Sequence, residues 1–214
     1  MSHQHDDVPL RILGWNTVLQ ALGVAVGLTG LYLSHSLALW SDVLHWIADV
    51  VPAGLTWGMR AAIQQRRRSG HGQHFELGVL VSGTVNAIVM MMAGIIGVFS
   101  ATSMIDQPDR KVTPGWALGA AITGLVINLA GHWFVNRHSA GGCAHDSRFD
   151  IRSLAAHLKI DIMASALAIA FILLNTAYRA TIFDTVGGIF LGWFIIGYGL
   201  WILAEAYLRH HTKP

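Results

Sequence analysis

Two histidine–aspartate pairs with the same spacing are the residues of this chain best suited to bind a metal ion. His45 and Asp49 form one pair, in SDVLHWIADVV, and His157 and Asp161 form the other, in SLAAHLKIDIM. Residues four apart lie on one face of an α-helix, so each segment presents an imidazole beside a carboxylate. Two such helices facing each other would supply two nitrogens and two oxygens, a tetrahedral set suited to zinc or a similar divalent ion.

Both pairs lie in apolar segments, where an ionisable side chain is expensive and marks a functional site by default. The alternative is that the histidines hydrogen-bond within a helix bundle and the aspartates are protonated. The repetition of the spacing favours a shared metal site over that alternative. Because metal and protons then compete for the same side chains, binding of one releases the other.

The composition indicates an integral membrane protein. The chain has 214 residues, of which 53% are hydrophobic and 12% charged. Soluble domains carry about 25% charged residues. The formal net charge of +2 does not indicate a nucleic-acid partner, and the single cysteine, Cys143, excludes an intrachain disulfide.

Six stretches reach the length of about 20 mostly apolar residues that a bilayer crossing needs. We therefore predict an all-α membrane protein with six transmembrane helices. Residues 1–9 and 209–214 are predicted to be short tails, and residues 10–208 the transmembrane domain. The predicted spans are Leu10–Leu33, Leu37–Ile63, Phe75–Met104, Pro114–Val135, Ile151–Leu174 and Ile182–Leu208.

Basic residues predict the orientation, because they are enriched in cytoplasmic loops. Ten of them fall on the side of the termini and three on the other, so both termini are predicted to be cytoplasmic. The second and fifth helices then run in opposite directions, and each histidine can lie level with the aspartate of the other helix, near the bilayer centre. The ten are Arg11, Arg60, Arg66, Arg67, Arg68, Arg137, Arg148, Arg152, Arg209 and Lys213; the three are Arg110, Lys111 and Arg179.

Four further residues have more than one interpretation, and a fifth, Asp184, has one. Asp42 lies three residues before His45 and has three interpretations. It accepts a hydrogen bond from an imidazole N–H, or it binds the released ion briefly at the outer end of the pathway. The third interpretation is a solvated residue near the start of the helix. Asn128 lines the pathway or bridges two helices. Gly188 and Gly192 form a G-x-x-x-G pair that lets helices approach closely, within one subunit or in a dimer. Asp184, near the start of the sixth helix, is predicted to be interfacial.

Three blocks of the sequence resemble the cation diffusion facilitator family. They are SHSLALWSDVLHWIADVV, GHGQHFELGVLVSGTVNAI and the second histidine–aspartate pair, and they agree in order and spacing over nearly the whole chain. The resemblance implies a six-helix, usually dimeric transporter that exchanges cytoplasmic divalent cations for protons. It matches His45, Asp49, His157 and Asp161 to the transport site and favours the zinc-transporting branch, although some cobalt or nickel exporters share this set.

The family also supplies two comparisons beyond the transport site. Its members can bind an additional metal in the loop that here contains His71 and His74, but three neighbouring arginines favour a solvated loop instead. Most members continue after the sixth helix into a soluble metal-sensing domain. This chain ends at Pro214, a few residues beyond the sixth predicted span, so no soluble C-terminal domain is expected.

The sequence therefore predicts a zinc/proton antiporter of a cell membrane, in bacteria the inner membrane. It is expected to have no catalytic residue and no cofactor, and its partners are a divalent metal, protons, the lipid bilayer and a second copy of the chain. One alternative is a membrane enzyme that uses the same cage, with Asp42 as a general base. A metal sensor is a second alternative, and export of mainly cobalt, nickel, cadmium or iron is a third.

Overall fold

The structure, a computed structural model, describes residues 7–68, 75–107, 111–139 and 145–211. These residues form six α-helices and no β-strand, which confirms the predicted all-α fold. Most of the helices extend past the predicted spans by a few residues. Their bounds are α1 Asp7–Ser34, α2 Leu37–Arg68, α3 Phe75–Thr102, α4 Pro114–Ser139, α5 His145–Tyr178 and α6 Ile182–His211.

The turns from α1 to α2 and from α5 to α6 are as short as the sequence predicts. Each contains one residue in the left-handed region, His35 with φ 55° and Arg179 with φ 52°. A left-handed residue after the last helical turn ends a helix abruptly. The His35 N–H still donates to the Leu31 carbonyl at 2.8 Å. The chain therefore reverses within a few residues, and each pair of helices packs as antiparallel neighbours.

Helix α2 is the centre of the bundle, since it contacts each of the other five helices. From Leu37 to Asp49 its side chains are buried or half-buried. The other five helices, α1 and α3 to α6, are each long and apolar enough to cross a membrane. Within the described residues α2 does not meet that criterion, because Asp42, His45 and Asp49 interrupt its apolar sequence. The chain is an integral, multi-pass membrane protein.

The distribution of side chains is the reverse of that in a water-soluble protein. Large apolar side chains such as Trp15, Phe99 and Trp193 are exposed, while polar side chains such as Asn16 and Gln20 are buried. A bilayer explains both observations, because lipid solvates apolar side chains and polar groups must find partners inside the protein. The polar interior therefore marks the part of the molecule where function is expected.

Glycines allow α6 to lie directly against α3, its most extensive partner. A Cβ atom added at Gly192 would lie 2.7 Å from Val98 Cγ2 and 2.9 Å from the Gly94 carbonyl oxygen. One added at Gly188 would lie 3.0 Å from the Leu37 carbonyl oxygen, at the start of α2. Both glycines of the G-x-x-x-G pair thus pack within the chain, which is the first of the two interpretations above.

Asp184 joins the start of α6 to the start of α2. Its carboxylate accepts hydrogen bonds from the Ser36 hydroxyl and from the backbone N–H groups of Leu37, at 2.8 Å, and Ala38, at 3.3 Å. A carboxylate at a helix N-terminus satisfies free N–H groups and interacts favourably with the helix dipole. Asp184 lies near the start of α6, as predicted, and is fully buried against the start of α2. The sequence does not reveal that the start of α2 packs over this residue.

Candidate metal site

The structure brings the four predicted ligands together between α2 and α5. His45 Nε2 lies 3.1 Å from Asp161 Oδ1 and 3.5 Å from Asp49 Oδ2. His157 Nε2 lies 3.0 Å from Asp49 Oδ1 and 3.8 Å from Asp161 Oδ1. Each imidazole is therefore nearer to the carboxylate of the other helix than to the carboxylate of its own.

This pairing follows from the antiparallel packing of α2 and α5. His45 faces Asp161, Asp49 faces His157, and Asp42 contacts Ser165, so advancing along α2 means moving back along α5. The spacing of four residues in both helices keeps the two pairs in register. The sequence predicted this arrangement from the orientation of the helices.

The distances within the cluster agree with those of a tetrahedral metal site. With metal–ligand distances of about 2.0 Å, two ligand atoms of a tetrahedral zinc site are about 3.3 Å apart. The four nitrogen–oxygen distances range from 3.0 to 3.8 Å. His45, Asp49 and Asp161 each offer one ligand atom within 4.8 Å of the others. His157 lies outside this group of three, so a shell of four donors requires the His157 side chain to move toward the other ligands.

The cluster is buried at the middle of the bundle. The side chains of His45 and Asp161 are fully buried, and that of His157 is 17% exposed. With neutral imidazoles, the two carboxylates carry two negative charges, which one divalent cation would balance. Lys159, between the ligands of α5 in sequence, is exposed and points away, as predicted from the helical period. Its positive charge does not oppose cation binding in the cluster.

A buried hydrogen-bond network connects the cluster to α1 and α4. Gln20 Nε2 donates to Asn128 Oδ1 at 3.3 Å and to Asp161 Oδ2 at 3.5 Å. Asn128 Nδ2 in turn donates to Ser165 Oγ at 3.5 Å, and Ser165 Oγ donates to Asp42 Oδ1 at 3.4 Å. Asn128 therefore bridges three helices, one of the two roles predicted for it. The network contacts Oδ2 of Asp161, whereas His45 contacts Oδ1.

Asp42 is the last residue of this network and is fully buried, so it is not a solvated residue. The interpretation in which Asp42 accepts an imidazole N–H also disagrees with the structure. Its hydrogen-bond partner is Ser165, and His45 Nδ1 has no partner among the described residues. Residues three apart share a helix face only approximately, and here the Asp42 carboxylate is directed toward α5. A role for Asp42 on the ion pathway stays a prediction.

Two parts of the site were missed by sequence reasoning. Tyr198 of α6 lies with its hydroxyl 2.7 Å from His157 Nδ1, and Gln20 of α1 reaches Asp161. Asn16 and Gln20 are buried polar residues four apart in an apolar helix, a pattern that indicates Gln20 in hindsight. A single tyrosine in a membrane helix gives no comparable indication. His71 and His74 lie outside the described residues.

A bundle of membrane-spanning helices with a buried ionisable cluster between them is typical of secondary transporters. The chain belongs to the cation efflux family: the family model of the cation efflux transmembrane domain matches residues 16–209. This match confirms the predicted relationship to the cation diffusion facilitators.

Known transporters are similar to this chain over most of its length. The zinc transporter ZitB of Escherichia coli is 29% identical over 181 residues, which are 79% of this chain and 55% of ZitB. The cadmium, cobalt and zinc/H(+)-K(+) antiporter of Bacillus subtilis is 23% identical over 172 residues, 79% of this chain and 53% of that protein. The vacuolar zinc transporter ZRC1 of Saccharomyces cerevisiae is 21% identical over 145 residues, 67% of this chain and 32% of that protein. The chain spans about half the length of the bacterial relatives.

Proposed function

We propose that this protein exports a divalent metal cation, zinc first, from the cytoplasm in exchange for protons. The observation that carries the proposal is the cluster of two imidazoles and two carboxylates, with nitrogen–oxygen distances of 3.0 to 3.8 Å, at the centre of a membrane bundle. The names of the similar proteins add support, because they describe transporters of zinc, cadmium and cobalt.

The chemistry of the donors limits the choice of metal. Mg²⁺ and Ca²⁺ prefer shells made only of oxygen, so a cluster that is half imidazole disfavours them. Zinc accepts mixed nitrogen and oxygen ligands in a tetrahedron. Cadmium, cobalt, nickel and ferrous iron accept similar donors. Zinc is the proposed main substrate, and the other ions are competitors for the same site.

Proton exchange follows from the ligands themselves. An imidazole binds metal only when the coordinating nitrogen has no hydrogen, and a carboxylate binds best when it is ionised. Protons arriving from the outer side therefore displace the metal and remain on the ligands. When the site next faces the cytoplasm, incoming metal displaces those protons. The cycle exports one ion and returns protons without any covalent step.

The arrangement of the helices offers a way to expose the site alternately to each side. Ligands come from α2 and α5 alone, and the contact between these two helices is less extensive than that of either with its main neighbours. A small tilt of one helix against the other would open the cluster on one side and close it on the other. Alternating access of this kind is common in secondary transporters.

The remaining features of the proposal concern location and assembly. The basic residues support a cytoplasmic position for both termini, and export then means movement toward the side of the short α1–α2 and α5–α6 turns. We place the protein in the plasma membrane, in bacteria the inner membrane, and as a homodimer formed through its transmembrane helices. Transport rather than catalysis or sensing is favoured because the similar proteins are named as transporters.

Zinc flux into proteoliposomes tests the proposal. The protein should accumulate zinc in sealed vesicles, and Asp49→Ala should remove that activity because it deletes a ligand. Asp106→Ala is the matched control, since Asp106 is an exposed acid after α3 and lies outside the cluster. Equal flux in wild type and Asp49→Ala, or binding of zinc with no flux in the folded protein, would contradict the proposal.

A further inference from the structure

We propose that Tyr198 is a positioning residue of the metal site. Its phenolic oxygen accepts a hydrogen bond from the N–H at His157 Nδ1. With the ring hydrogen on Nδ1, the lone pair of Nε2 is free for the metal. The inference rests on the proposed function, because it concerns how one of the four donors is prepared for the ion.

Among the four ligands, the Tyr198 hydroxyl forms a hydrogen bond with His157. Its hydroxyl oxygen lies 2.7 Å from His157 Nδ1, while His157 Nε2 lies 3.0 Å from Asp49 Oδ1. The two ring nitrogens thus face different partners, Nδ1 toward α6 and Nε2 toward the carboxylates of the cluster. Tyr198 is 8% exposed, so solvent does not readily replace its hydroxyl.

A neutral imidazole carries one hydrogen, on one of its two nitrogens. If the hydrogen is on Nε2, that nitrogen has no lone pair for a metal. If it is on Nδ1, Nε2 binds metal, but the buried Nδ1–H then needs an acceptor. A tyrosine hydroxyl both donates and accepts, so it satisfies Nδ1 in either form. Tyr198 therefore lets His157 adopt the metal-binding form without leaving a buried donor unsatisfied.

The two histidines of the site differ in this respect. His45 Nδ1 is buried without a hydrogen-bond partner among the described residues, whereas His157 Nδ1 has Tyr198. Partners on the non-coordinating nitrogen fix the orientation of a histidine ligand and commonly change metal affinity by about 10–100-fold when they are removed. At this site the partner of the non-coordinating nitrogen is Tyr198, which belongs to α6, a helix that provides none of the four ligands.

Tyr198→Phe isolates the hydroxyl, because phenylalanine keeps the ring that stacks on Trp201 at a centroid distance of 5.7 Å. We expect the zinc dissociation constant of the purified protein to rise about tenfold or more. In proteoliposomes the zinc KM should rise by a similar factor, with the maximal flux less affected. Tyr32→Phe is the matched control, since Tyr32 is 78% exposed. A purely structural role for Tyr198 would lower the thermal midpoint of the zinc-free protein without this selective loss of affinity.

Repeating the Tyr198→Phe substitution in a His157→Asp variant tests whether its effect depends on the hydrogen bond. His157→Asp supplies an oxygen ligand that has no Nδ1, so Tyr198→Phe should change zinc affinity little when it is added to His157→Asp. The same fold-change in both backgrounds, or an unchanged dissociation constant in Tyr198→Phe alone, overturns the role of Tyr198 while leaving the transport proposal intact. Failure of the wild-type protein to bind zinc overturns both.

Discussion

Each imidazole of the cluster lies nearer to a carboxylate of the opposite helix than to that of its own, so no ligand is redundant. Removing one leaves a buried charge without its partner as well as an incomplete metal shell. We expect His45→Ala and Asp161→Ala each to abolish zinc flux in proteoliposomes while the protein still inserts and folds. His132→Ala is the control, because His132 of α4 contacts Asn136 instead of the cluster. Flux at the wild-type rate in both ligand variants would refute the four-ligand site.

Asn128 tests whether the hydrogen-bond network supports the site. Asn128→Ala removes the acceptor of Gln20 and the donor to Ser165, both of which are buried. Gln20 then keeps only its bond to Asp161 and Ser165 only its bond to Asp42, and each lost hydrogen bond costs about 0.5–1.5 kcal/mol. The thermal unfolding midpoint in detergent should therefore fall by several degrees. Asn136→Ala on the same helix is the control, since Asn136 is exposed, and an equal midpoint in both variants would argue against the network.

The four ligands could be predicted from the sequence because one spacing occurs twice in apolar segments, and local geometry then determines which face carries them. Tyr198 and Gln20 could not be predicted in the same way. Tyr198 is a single polar residue and Gln20 has only Asn16 one turn away to indicate it, and the importance of both depends on which helices are neighbours in space. For the same reason the contacts of Asp184 could not be predicted, because its hydrogen-bond partners at the start of α2 are 146 to 148 residues away along the chain.

The six helices could be predicted because the thickness of the bilayer sets a length that apolar runs reveal. Their ends were less predictable. Helix α2 continues to Arg68 and α5 begins at His145, beyond the apolar runs predicted as Leu37–Ile63 and Ile151–Leu174. Backbone hydrogen bonding continues beyond the hydrocarbon core of the bilayer. Charged residues outside the apolar run can therefore still belong to the helix.

The packing of α6 on α3 gives a prediction with an internal control. Gly192→Ala places a Cβ against Val98 and the Gly94 carbonyl, so it should separate the helices and lower the thermal midpoint. Gly197→Ala, one helix turn and a little more along α6, meets nothing within 4 Å. Because alanine is the better helix former, that variant should be as stable as wild type or more so. A larger loss in Gly197→Ala than in Gly192→Ala would contradict the packing described.

The whole molecule is proposed to work as a homodimer formed by its transmembrane helices. Each chain contains a single cysteine, Cys143, so one fluorophore can be attached per subunit. Single-molecule photobleaching in lipid nanodiscs should then show two steps for most particles with complete labelling. Predominantly single steps at concentrations where transport is active would show that the monomer is the working form.

The exchange of zinc for protons is tested most directly by recording both ions in the same vesicles. Adding zinc outside proteoliposomes that contain a pH-sensitive dye should move protons in the opposite direction. An imposed proton gradient should accelerate zinc uptake, and Asp49→Ala should remove both effects. Zinc flux that is unchanged when the gradient is collapsed, with no proton movement on zinc addition, would contradict antiport through the His45, Asp49, His157 and Asp161 cluster.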